Sequence, residues 1–207
     1  MRDVVIFAAV ILSIMLHEIA HGYAAYRCGD DTALKCGRLS LNPIRHIDWF
    51  GSVFLPCTLL FIGSPFVFGW AKPVPVDFLK LRKDKIASFM VASAGIFANM
   101  ILAFSAMLIL QTFNIQEGYI ETFLISMVIT NTILIAFNIL PIPPLDGSKI
   151  FFGWIDKTWA KKYVMAEKQG LAALIVIVAL LPVLNRMIGV NAFDPFGWYI
   201  EKIMSIL

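Results

Sequence analysis

The chain has 207 residues, 59% of them hydrophobic and only 15% charged. Soluble domains carry about a quarter charged residues, and here the apolar residues come in long blocks, so an ordinary soluble domain is excluded and a polytopic helical membrane protein is expected. The net charge of +3 is small and no nucleic-acid partner is expected, while three cysteines without a C-x-x-C pair give no disulfide framework.

The first helix is expected from about Asp3 to Tyr26. It opens with the apolar run Val4 to Leu16 and then carries His17-Glu18-Ile19-Ala20-His21, an H-E-x-x-H motif. Residues four apart lie on one helix face, so His17 and His21 can reach one metal ion. Two neutral imidazoles suit zinc, which in catalytic sites takes three protein ligands and leaves a position open. Glu18 stands beside the first histidine, where a carboxylate could take a proton from water. The competing reading is a set of polar contacts between helices. Ionisable groups inside a bilayer are costly, however, and default to a functional role. At 1.5 Å per residue, Val4 to Leu16 rises about 20 Å, which puts His17 past the midplane of a core about 30 Å thick. A signal-peptide reading of this segment would remove the motif or part it from the rest, and is set aside.

Residues 28–51 alternate briefly between apolar and polar around Asn42-Pro43, and a short strand and turn are expected there. His46 lies in this loop, either as a third ligand or as a residue that orders the turn. Residues 52–68 are apolar but interrupted by Pro56, Gly63 and Pro65; they could just span, or enter and leave on one side. Gly69-Trp-Ala-Lys-Pro-Val-Pro-Val76 reads as an extended edge strand. A second long helix is expected over Ile86 to Thr112, with Ala92-Ser-Ala-Gly-Ile-Phe-Ala-Asn99 as a small-residue face; close packing and a catalytic role both fit it. A third is expected over Thr122 to Leu140, carrying Asn131 and Asn138 and broken by Pro141, Pro143 and Pro144. Residues 149–169 are polar and basic. A fourth helix follows over Gly170 to Ile188, and Phe193 to Leu207 reads as an interfacial helix. The fold expected is therefore an all-α integral membrane protein. It has about four transmembrane helices, a re-entrant or short β-strand region, and an interfacial C-terminal helix. Residues 1–207 are expected to form a single polytopic domain.

Asp146, in Leu145-Asp146-Gly147, is a candidate third ligand. The prolines before it suit irregular chain lining a protein-walled or watery cavity. On pattern alone it could equally be a turn leaving the membrane. If Asp146 meets the metal, the first and third helices run parallel, one span lies between them, and 52–68 must return to the side it entered. The loops 27–51, 69–85 and 147–169 then share a face and hold fourteen of the seventeen Lys and Arg residues. By the positive-inside rule that face, with the motif, is cytoplasmic.

The chain resembles the site-2 protease family of intramembrane zinc metalloproteases. The resemblance runs from the first helix to about Lys149. It rests on His17-Glu18-x-x-His21, Leu41-Asn42-Pro43 with His46 and Asp48, Gly69-Trp-Ala-Lys-Pro-Val-Pro, Ala94-Gly95 with Asn99, and Phe137-Asn138 with Pro144-Leu-Asp146-Gly147. It departs at Ile96 and Trp49, where the family often has proline, and no PDZ-like insert lies within the chain. The resemblance implies one zinc held by His17, His21 and Asp146, with Glu18 as general base. It implies that Asn138 and Pro144 shape the substrate site and that the Gly69–Val76 loop pairs with an extended substrate. The expected activity is a zinc-dependent endopeptidase that cleaves transmembrane segments of membrane proteins, in regulated intramembrane proteolysis. The expected location is the plasma membrane of a prokaryote, with the active site toward the cytoplasm. A binder that does not cut is disfavoured by the intact Glu18. A carrier is disfavoured by the lack of paired halves.

Overall fold

Among the described residues three helices are long and apolar enough to cross a membrane: α1 (Arg2–Arg27), α4 (Lys85–Thr112) and α5 (Tyr119–Asn138). Their lengths come to about 39, 42 and 30 Å. The computed structural model describes residues 1–63, 69–77, 80–81, 85–152 and 158–176. Two compact units contain them: Met1–His46, Pro73–Pro141 and Leu145–Ile155 in the first; Ile47–Lys72, Ile142–Pro144 and Asp156–Leu207 in the second.

In the first unit α1, α4 and α5 pack against one another. Ala25 and Cys28, at the end of α1, meet Ala87 and Val91 at the start of α4. Ala9, near the start of α1, clusters with Ala106 of late α4 and with Leu124 and Met127 of early α5. So α4 runs antiparallel to α1, and α5 runs parallel to it, as the depth argument requires. The packing is that of a bundle whose outer solvent is lipid. Phe7, Phe97, Ile101, Phe104 and Leu108 point outward, whereas the buried contacts use Ala9, Ser13, Ala25, Ala92, Asn99 and Asn131. Small residues let helix backbones approach where no hydrophobic drive exists between them. On α1, Ala9, Ser13, His17, His21 and Ala25 recur every fourth residue, so the histidines lie on the packing stripe itself. Below them, Asn131 donates through Nδ2 to Ser13 Oγ at 2.9 Å and to the Met127 carbonyl at 2.7 Å.

Short helices complete this unit. After α1 come α2 (Thr32–Lys35) and a 3-10 turn over Pro43–His46. After α5 the proline-rich break leads into α6 (Asp146–Phe152), which packs on α4. The second unit holds a π-helical turn over Trp49–Phe54 that runs into α3 (Leu55–Phe61), and α7 (Thr158–Ile175). Leu55 and Leu59 pack with Trp70 and Ile175. Asp48 accepts the Gly51 N–H at 2.7 Å and so starts the π turn, and Ser52 Oγ donates to the Trp70 carbonyl at 2.8 Å.

Several expectations are corrected. Among the described residues there is no strand. Around residue 42 the side chains take over the role of a ladder: Arg45 Nη1 donates to the Gly37 carbonyl, His46 Nε2 to the Ser40 carbonyl, and Asn42 Oδ1 accepts the Ile44 N–H. Residues 69–77 form neither helix nor strand: Pro73 and Pro75 have no N–H, and the amides of Val74 and Asp77 donate to carboxylates. The helix expected from Gly170 begins at Thr158, inside the stretch read as polar connection. Its expected end and the interfacial helix over Phe193 to Leu207 lie outside the described residues. Trp49–Phe61 is helical and apolar but rises only about 20 Å, short of a core about 30 Å thick.

Candidate metal centre

His17 and His21 project from one face of α1, and Asp146 comes from the first turn of α6. Their facing atoms converge. His17 Nε2 lies 3.1 Å from His21 Nε2 and 3.2 Å from Asp146 Oδ2, and His21 Nε2 lies 2.9 Å from the same oxygen. His17 and Asp146 are 6% and 5% exposed, so the cluster is shielded from solvent. It is the one group of three such side chains among the described residues with ligand atoms close enough for a shared metal.

The chemistry of the donor set tests whether a metal fits. His21 Nδ1 stands 2.7 Å from the Val91 carbonyl oxygen, which can only accept, so Nδ1 carries the hydrogen. In the neutral ring Nε2 is then a bare lone pair, turned toward a carboxylate and a second imidazole. A proton on one nitrogen satisfies one of the three contacts; a cation between them satisfies all three. A tetrahedral ion with bonds of about 2.0 Å separates its ligands by about 3.3 Å, close to the spacing found. The residues fit zinc.

α4 makes room for this. A Cβ on Gly95 would lie 2.4 Å from His21 Nε2 and 2.5 Å from His17 Cε1, so only glycine lets the helix backbone reach both rings. Asn99, one turn further on, sets its amide 3.0 Å from His17 Nδ1. At Asp146, burial works against the charge. The Lys149 ammonium, 3.6 Å from its Oδ1, favours it.

Glu18 is next to His17 in sequence but about 100° round the helix. It is half-buried and lies outside the cluster; its Oε2 accepts the Val74 N–H at 2.8 Å. Three ties hold residues 73–77 there. Besides the Glu18 bond, Arg38 Nη2 donates to the Pro73 carbonyl at 3.4 Å, and Asp30 Oδ2 accepts the Asp77 N–H at 2.6 Å. Gly22 leaves the space that Val74 fills, since a Cβ there would lie 2.7 Å from Val74 Cγ1. Lys80 Nζ, 2.9 Å from Thr32 Oγ1, brings the loops after α1 and before α4 together.

Asp30 predicts a pH-dependent clamp. It is fully buried, which opposes its charge, yet bonds from the Thr32 hydroxyl, the Asp77 amide and the Thr32 amide hold its carboxyl below the ordinary value. A depressed folded pKa stabilises above the unfolded value of about 3.9 and loses that contribution as pH falls through the folded one. Asp30→Asn is expected to weaken the clamp by about 1–3 kcal/mol. Hydrogen exchange at the Asp77 amide should speed up; unchanged protection would remove Asp30 from this role.

The other site candidates fall elsewhere. His46 is buried and bonded to Ser40, so it orders its turn and is not part of the cluster. Asn138 ends α5, half-buried, with Nδ2 donating 3.0 Å to the Leu134 carbonyl of its own helix and not to the cluster. Pro144 is half-buried in the second unit, two residues before Asp146. Sequence reasoning did not find the Val91 carbonyl, or what Asn99 touches. The available signal was the four-residue spacing of 91, 95 and 99.

Comparison with known proteins bears on this site. A model of peptidase family M50 matches residues 111–183. The chain is 36% identical over 179 residues to a Bacillus subtilis protein named "Putative zinc metalloprotease YwhC", covering 81% of this chain and 77% of that one. Rip2 of Mycolicibacterium smegmatis, which bears the same designation, is 24% identical over 199 residues, covering 96% of this chain and 73% of its own. Rip2 of Mycobacterium tuberculosis strain H37Rv is 26% identical over 182 residues, with 88% and 69% covered. No solved structure matches the chain.

Proposed function

Because this chain belongs to the site-2 protease family, peptidase family M50, and is with it a zinc metalloprotease, we propose that it hydrolyses peptide bonds within or near transmembrane segments of other membrane proteins, as an agent of regulated intramembrane proteolysis. The observation that carries the reading is the convergence of three lone pairs, from buried His17 and Asp146 and half-buried His21, beside helices of membrane length. These three are the proposed zinc ligands. Zinc there would supply a Lewis acid that polarises the scissile carbonyl and makes water more acidic.

The protein's own residues do the rest. Glu18 takes a proton from the attacking water as the new C–O bond forms. The same carboxyl group gives that proton to the amide nitrogen as the C–N bond breaks, so acid and base are one residue. The ties from Glu18, Arg38 and Asp30 hold residues 73–77 beside this carboxylate, where an unwound substrate could lie. A substrate carbonyl that took the Val74 N–H would release Glu18 Oε2 for the water. Asn138 and Pro144 are proposed to shape the substrate's path. The loop-borne positive charges, with the contact between Lys80 and Thr32, support a site on the cytoplasmic side.

A membrane helix hides its carbonyls in hydrogen bonds to the fourth residue on, so cutting needs local unwinding. In proteoliposomes, a single-pass substrate with Gly or Asn near its cytoplasmic end should be cut, and replacing those residues with leucine should slow cleavage. A poly-leucine segment cut equally fast would end the unwinding argument.

A further inference from the structure

Asn99 is fully buried in α4, and its Oδ1 has no hydrogen-bond partner among the described residues. A buried polar atom without a partner costs about 1–3 kcal/mol. The same side chain sets its Nδ2, a donor, 3.0 Å from His17 Nδ1. His17 turns its other nitrogen, Nε2, into the cluster. If Nε2 is to offer a lone pair there, the neutral ring must carry its hydrogen on Nδ1. Two donors then face each other across 3.0 Å. The shape of an amide does not distinguish oxygen from nitrogen. Turning the Asn99 amide by half a turn places Oδ1 on the Nδ1–H. That single change removes both faults. The NH2 takes the place the oxygen held.

We infer that Asn99 is a positioning residue for the metal centre: its carbonyl oxygen accepts from His17 Nδ1–H, which holds the ring in the tautomer that presents Nε2 to zinc. The inference rests on the proposed ligand set. The alternative orientation is not neutral. An amide NH2 donating to Nδ1 requires a bare lone pair there, so the hydrogen moves to Nε2 and blocks the metal-facing nitrogen. Asn99 and His17 therefore act as one two-state pair. α4 sets both rings from one stripe: the Val91 carbonyl orients His21, Gly95 clears both, and Asn99 orients His17. Partners of this kind are worth about 10–100-fold in metal affinity.

The test uses the full chain in detergent, with zinc affinity from chelator competition and nitrogen-15 spectra of the histidine rings before zinc is added. Wild type should show His17 as the Nδ1–H tautomer. Asn99→Leu, close in size but without an acceptor, should bind zinc about 10–100-fold more weakly and lose that tautomer. Asn99→Asp keeps an acceptor and should bind zinc at least as well as wild type. The inference is overturned by an Nε2–H tautomer in wild type, which needs no variant to fold, or by Asn99→Leu holding zinc as wild type does. It is also overturned if Asn99→Asp is as weak as Asn99→Leu. Should wild type itself bind no zinc, the ligand set fails, and this inference falls with it.

Discussion

Purified His21→Ala and Asp146→Ala proteins are expected to bind zinc about two to three powers of ten more weakly than wild type. Four-ligand sites hold zinc with about 10–16 kcal/mol, so one ligand accounts for about 3–4 kcal/mol, or roughly that factor in affinity. The two variants leave different residues behind. Without His21, the Val91 carbonyl loses its donor and Asp146 keeps His17 and Lys149. Without Asp146, two imidazoles face each other at 3.1 Å with no anion between them. Zinc stabilises the native state only as far as it binds there. The melting temperature of wild type should therefore rise with added zinc, and that of either variant should rise less. Full zinc retention by Asp146→Ala would remove that residue from the ligand set, and with it the requirement that the ends of α1 and α5 meet at one depth.

Glu18→Gln is expected to keep zinc and lose cleavage. Its carboxylate lies outside the cluster, so the amide removes no ligand. Glutamine also retains an oxygen for the Val74 N–H, which keeps residues 73–77 in position. What disappears is a group that takes a proton and returns it. Such transfers contribute about 10²–10⁴-fold each, and one residue here serves both, so the loss should fall at or beyond the upper end. Zinc content, the melting temperature and protection of the Val74 amide should stay at wild-type values. A Glu18→Gln protein within tenfold of wild-type rate, to take about 1.4 kcal/mol as the margin, would mean that another group moves the proton.

Much of this site is legible along the chain, because its periodicities are local. His17 and His21 are four apart, and 3.6 residues per turn carry both to one face whatever surrounds them. The apolar runs of α1, α4 and α5 require helices, since a chain in lipid has no other way to satisfy its backbone unless it closes a barrel. Their starts and ends follow, within three residues, from where the apolar run stops: Arg2–Arg27, Lys85–Thr112 and Tyr119–Asn138. Asp146 is harder. Pattern alone allows a ligand or a turn, and only the family likeness favours the ligand.

The residues misread were those whose backbone groups bond to side chains and not to a neighbouring strand. Gly69–Val76 and the stretch around Asn42 have the alternation of strands. A strand is made by its neighbour, though, and no neighbouring strand is there among the described residues. Val74 and Asp77 instead donate to Glu18 and Asp30, 56 and 47 residues away in sequence. Asn99 shows the same limit. Spacing puts it on the stripe with Val91 and Gly95, but a small-residue stripe looks the same whether it meets apolar side chains or a histidine 82 residues away. Composition and period, which act within one element, thus determined a membrane bundle with a two-histidine motif on its first helix. Only the packing of α1, α4 and α6 decided that Asp146 closes the cluster, that Glu18 is held by Val74, and that Asn99 reaches His17. Those contacts depend on how whole helices approach one another, and spacing within a single helix carries no record of that.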